Sequence, residues 1–157
     1  MALTLESQNL VWQRAKVALQ ALDAKQVFVD QFKGLKEYIQ ATKGNINLQF
    51  VAISNLTIDA VIADVACTFY GVYFKKQNTA TAAYAKLNDS ATAAGGASGA
   101  AMTDTVELNA AKLEASLLEP TGRAMASGIA AASETTGAGG TDTTTGDGPN
   151  GFVILGA

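Results

Sequence analysis

The stretch Asn45–Lys76, reading NINLQFVAISNLTIDAVIADVACTFYGVYFKK, constrains this chain more than any other. It carries the densest apolar content and little that breaks a strand. From Ile46 to Ala52 the even positions (Ile46, Leu48, Phe50, Ala52) are apolar, and Asn47 and Gln49 alternate with them. A period of two puts one face on a core and the other toward solvent. Thr68 to Phe74 is β-branched and aromatic on both faces, as expected of a strand inside a sandwich or at a subunit contact. The stretch is therefore expected to be the spine of a β-domain, and it points to architecture rather than chemistry.

Ahead of the spine, residues 5–43 carry helical spacing. Leu10, Arg14, Ala15, Ala18, Leu19 and Leu22 form one stripe, and Phe28, Phe32, Leu35 and Ile39 form a second. Asp23 is placed to cap a new helix and Gly44 to end it. One long helix and two helices joined near Leu22–Ala24 fit the pattern equally. Trp12 and Tyr38 are the large amphipathic side chains here, read either as packing within the subunit or as intersubunit anchors. The apolar stripe must be covered, by the chain's own domain or by neighbouring copies. The expectation taken is an arm that docks on neighbours, with Leu10, Trp12, Leu19, Phe28, Phe32 and Tyr38 as the candidate contacts.

After the spine, Lys75–Thr81 reads as a hairpin loop and residues 81–87 as a strand, with Thr81, Ala83, Ala85 and Leu87 on one face and Tyr84 and Lys86 opposite. Ser90–Met102 is a small-residue loop. Val106 and Leu108 mark another strand. Leu113, Ala115 and Leu117 mark the next, although its Ala, Leu, Glu and Lys content also suits a helix. Pro120 is expected to end that segment, with Pro120–Gly122 as a turn. Ile129–Ser133 is a short strand, and Phe152–Leu155 is the last. Short strands at close spacing with Gly-rich turns predict a sandwich or jelly roll. The fold class expected is mainly β (α+β overall), a β-sandwich or jelly-roll-like domain over 45–157 behind a helical segment or arm over 1–44.

The 157 residues suffice for one ordinary domain. Net charge is −3 and Lys or Arg never cluster in a run, so nucleic acid is not an expected partner. Neither a basic leader ahead of an apolar run nor a stretch of membrane-spanning length is visible, so no membrane partner is expected, and synthesis in a cytoplasm without export by the usual route is. Cys67 is the only cysteine; in so apolar a setting it reads as a small buried hydrophobe. The chain has no histidine, which removes the Ser-His-Asp and Cys-His mechanisms and the common zinc and iron sites. A carboxylate pair could run glycoside hydrolysis, but the acids are scattered and alternate with apolar residues as solvent-facing positions do. Asp142 and Asp147 in GAGGTDTTTGDGPNG (137–151) could hold calcium with nearby carbonyls, but they fall short of an EF-hand pattern, and a plain surface loop is the better reading. The triplets Asn55-Leu56-Thr57 and Asn88-Asp89-Ser90 carry no weight without a secretory signal. No catalytic residue, metal site or cofactor is expected.

The segments FYGVYFKK (Phe69–Lys76), AAYAKLNDSA (Ala82–Ala91), EPTGRAMASGI (Glu119–Ile129) and the closing GPNGFVILGA share a strand–hairpin–strand rhythm. Over residues 66–157 this resembles small virion proteins of tailed bacteriophages, especially capsid decoration or cement proteins with a β-sandwich or jelly-roll domain. The resemblance implies a non-enzymatic protein that sits on the capsid surface of the virion as a homotrimer and clamps subunits of the major capsid protein. On that reading, deletion of residues 1–43 abolishes capsid binding or trimer formation. The alternatives are a receptor- or carbohydrate-binding module of a tail fibre or the head, and a head–tail connector or tail component. A carbohydrate-binding module calls for exposed aromatics clustered with Asn, Asp or Gln, for which the sequence offers only Tyr70, Tyr73 and Tyr84, scattered.

Overall fold

The computed structural model describes residues 3–56, 60–77, 83–91, 104–109, 111–134 and 148–157. Two helices come first, α1 (Gln8–Ala21) and α2 (Gln26–Lys43). Eight strands follow: β1 (Leu48–Ile53), β2 (Ala60–Ala63), β3 (Cys67–Lys75), β4 (Ala83–Asn88), β5 (Asp104–Leu108), β6 (Glu114–Met125), β7 (Ile129–Glu134) and β8 (Asn150–Gly156).

The strands form two four-stranded sheets, ordered β1-β8-β3-β6 and β2-β7-β4-β5, and every ladder is antiparallel. First pairs with last, second with seventh, third with sixth, and fourth with fifth. That is one long ribbon folded back on itself and wrapped into two sheets, which is the jelly-roll topology. The mainly β fold with helices at its N-terminus is therefore as the sequence predicts.

The spine stretch holds three strands rather than one continuous element, and β2 lies in the second sheet. Strands β3 and β8 occupy the centre of the first sheet, which is covered on both faces. In β8, Val153 and Leu155 point between the sheets, and Phe152 and Ile154 point to the helices. Double coverage leaves no place for a polar residue, so the strand reads FVIL without interruption. In β3, Phe69, Val72 and Phe74 face the sandwich, and Tyr70 and Tyr73 face the helices. The alternation slips once, at a bulge between Phe69 and Gly71. There a side chain on Gly71 would meet Leu118 Cδ2 at 2.9 Å and Leu35 Cδ2 at 3.2 Å, so the bulge lets α2 lie close to the sheet.

Two sequence expectations change and one open alternative closes. Pro120 does not end its segment: β6 runs on to Met125. Between the pairs Gly71↔Leu118 and Phe69↔Arg123, residues 119–122 form an excursion opposite Tyr70 alone, turned by Gly122 at φ 86°. Proline survives because β6 is an edge strand and the excursion needs no ladder hydrogen bond. The 112–117 segment is strand, not helix, from Glu114 onward. Asp23 is not the cap of α2; it sits in the turn at φ 53°, and Lys25 is the capping position. Gly44 ends α2 at φ 72° as expected. The 75–81 hairpin loop beyond Gln77, the 90–102 loop beyond Ala91 and most of the 137–151 segment lie outside the described residues.

Candidate interaction surface

The helices lie on the outer face of the first sheet, α1 over β1 and β8 and α2 against β6. Their buried stripe is Val11, Trp12, Ala15 and Leu19 from α1 with Phe32, Leu35 and Ile39 from α2. It packs on Leu48, Tyr70, Tyr73, Phe152 and Ile154. Phe152 is the hub of an aromatic cluster, with ring centroids 4.9 Å from Phe32, 5.1 Å from Phe50 and 5.9 Å from Tyr73.

Directional bonds set the helices on this smooth surface. Gln8 is fully buried; its amide donates to the Gly44 carbonyl at 2.6 Å and accepts from Trp12 Nε1 at 3.2 Å. It ties the start of α1 to the end of α2. At the opposite end, Glu114 Oε1 accepts from the Lys25 backbone N–H at 2.9 Å and from the Tyr73 hydroxyl at 2.6 Å. α2 has no capping side chain of its own. The Glu114 carboxylate supplies that role from the sheet, where it also meets the positive end of the helix dipole. Burial first, then the bond to Glu114, push the Tyr73 hydroxyl well above its ordinary pKa. Before α1, the backbone of Glu6 pairs with Leu48 on the outer edge of β1, and the Glu6 carboxylate meets Arg14 at 3.1 Å.

The six candidate contacts separate into two groups. Trp12, Leu19 and Phe32 are 7%, 2% and 3% exposed, and all three are committed to the chain's own core. Phe28 is half-buried with its ring edge on Tyr73 at 5.5 Å. The docking arm is thus corrected for these residues: their side chains hold the helices to the sheet, and the little of Trp12, Leu19 and Phe32 left uncovered opens between α1 and α2. Leu10 and Tyr38 are both 41% exposed. Leu10 stands outside the buried stripe expected of it, because the buried side of α1 centres on Trp12 and Ala15. Leu10 instead shares an outward stripe with Arg14 and Val17, on the flank nearest β1. Tyr38 shares the stripe of Val27 and Gln31, on the flank where Gln31 and Ser116 of β6 are hydrogen-bonded. Exposed apolar side chains therefore stand on opposite flanks of the helical layer.

Between the helices runs a trough of about 650 Å³. Its floor is Trp12, Ala15, Leu19, Val29 and Phe32, and Lys16, Lys33 and Lys36 stand along it with Asp30. Sequence reading passed over these lysines, since isolated charges on a helix read as its solvated face. Their grouping depends on how α1 and α2 pair, which no spacing within either helix reveals.

Elsewhere the chemistry is quiet. Cys67 is buried in the sandwich core, where burial, helped by the charge of Asp89, pushes its thiol from 9.0 up to about 11. Among the described residues no group of three or more His, Cys, Asp or Glu could hold a metal ion, and no helix is long and apolar enough to cross a membrane. Tyr70 and Tyr73 are buried and Tyr84 is half-buried. Comparison with known proteins finds no matching protein-family model, curated protein or solved structure.

Proposed function

We propose that this chain is a structural virion protein, a capsid decoration or cement protein that binds between subunits of a shell and performs no chemistry. The jelly roll occurs in viral capsid and lectin domains, so topology supports the reading only by analogy. The observation that carries it is the surface: apolar side chains stand on two opposite flanks of one helical layer, Leu10 and Val17 on one and Val27 and Tyr38 on the other. Two flanks suit a clamp between two neighbours. Modest contacts become firm when symmetry repeats them, as in a homotrimer held on the major capsid protein. A glycan-binding site would need clustered exposed aromatics, and burial of Tyr70 and Tyr73 removes two candidates for one.

Deleting residues 1–43 is a poor test, since it would bare Tyr70, Tyr73, Phe152 and Ile154 to water. Sedimentation of native particles with the full chain tests the reading instead. The protein should co-sediment with icosahedral particles at a copy number set by the shell's symmetry, and free protein should have the mass of a trimer. Leu10→Glu and Tyr38→Glu should keep the fold and lose the particles. Recovery only as free monomer, or retention of both variants on the particle, would overturn it.

A further inference from the structure

The trough between α1 and α2 presents one helical stripe from each wall. Asn9, Trp12, Gln13 and Lys16 recur at helical spacing on α1, as do Gln26, Val29, Lys33 and Lys36 on α2. From Gln26 to Lys36 the wall is about 15 Å long at the α-helical rise, or roughly three turns. The floor is apolar. Its lining charges are three lysines against Asp30, whose carboxylate also accepts a hydrogen bond from the Gln26 amide at 2.9 Å. A trough with a surplus of positive charge lies on a chain whose net charge is −3. Among the described residues, none of the three lysines pairs with a carboxylate.

We propose that this trough seats a short acidic amphipathic helix of a partner protein, with its apolar side on Trp12 and Val29 and its carboxylates against Lys16, Lys33 and Lys36. A helix laid between two helices reads such a floor through anchors at i, i+3, i+4 and i+7, and three turns are enough for one set. Charge selects the occupant. A second copy offering the same face would set lysine against lysine, so self-docking through the trough is disfavoured. A bilayer surface is flat and does not enter a concave channel, and an open trough gives a small anion too little enclosure. The inference rests on the helical layer alone and stands whether or not the partner is a shell protein.

Trp12 is the chain's only tryptophan, so its emission reports the trough directly. The test pans a display library of helix-forming peptides on the full chain. The variant Lys16→Glu/Lys33→Glu/Lys36→Glu is kept out of the selection and serves as the comparison. The three side chains lack partners among the described residues, so the variant should keep its circular dichroism and melting temperature. Selected peptides should be acidic and apolar at helical spacing, shift Trp12 emission, weaken with added salt and bind the variant about tenfold less tightly. Selection of neutral or basic peptides, or equal binding to the variant, overturns the proposal. So does a Trp12 shift produced by phosphatidylglycerol vesicles or by self-association where no selected peptide produces one.

Discussion

The first sheet is buried on both faces, and the two faces are built differently. Its sandwich side meets a second sheet where small residues such as Ala83, Ala85 and Ala131 alternate with Leu87, Leu108 and Ile129, and strand register sets which of them face inward. Its helix side is aromatic and slippery, and named hydrogen bonds at Gln8 and Glu114 fix where the helices stop. A core between sheets can be assembled from pattern alone. A helical layer on an aromatic surface needs particular polar residues to give it one position.

Adjacent residues on β8 test the two sides against each other. Phe152→Ala, which empties the aromatic hub, should cost about 3–5 kcal/mol, and Val153→Ala, which trims the sandwich, about 2 kcal/mol. Urea unfolding followed by Trp12 emission and by far-ultraviolet dichroism measures both. The two probes should coincide in the native chain, and a Trp12 transition that comes first would separate the layers. Next in size, Glu114→Ala leaves the Tyr73 hydroxyl and the Lys25 N–H without their acceptor and should cost about 2–4 kcal/mol. Tyr73→Phe should cost about 1 kcal/mol, and the double variant less than the sum of the two.

Much of this division was visible in the residues. The Thr68–Phe74 run announces a strand covered on both faces, the FVIL run announces the apolar last strand, and the Val106/Leu108 alternation announces a further strand. The ending at Gly44 follows from its freedom at positive φ. The phase of α1 was legible only in part, because Leu10 fits a stripe with Ala18 and Leu22 as well as Val11 does, and of these four only Leu10 faces out. Only the aromatic surface of Tyr73 and Phe152 decides between them. Pro120 misleads for a similar reason: a proline stops a central strand, and edge position is a property of the whole sheet. Glu114 looked like one more alternating acid, and its role depends on a helix start 89 residues away.

Alkaline pH gives each side a titrating group of its own. The folded state raises the pKa of Cys67 in the sandwich and of Tyr73 under the helices, so above pH 9 the unfolded chain releases protons that the folded chain keeps. Stability from both groups is present below pH 9 and lost as pH rises, for Cys67 between 9.0 and about 11 and for Tyr73 from about 10 upward. Denaturant midpoints between neutral pH and pH 11 should fall. Cys67→Ala should remove the earlier part of the decline and Tyr73→Phe the later part. The smallest effect concerns the exposed side of α2. A Cβ on Gly34 would meet nothing within 4 Å, so Gly34→Ala should raise stability by about 0.5–1 kcal/mol in a thermal melt.

Hydrogen exchange on the dilute isolated chain tests the central claim most directly, that the helices are a layer of this fold and not an arm awaiting a neighbour. Amides of α1 and α2 should be protected to nearly the same degree as those of β8. Helical amides that exchange freely while β8 stays protected would contradict it.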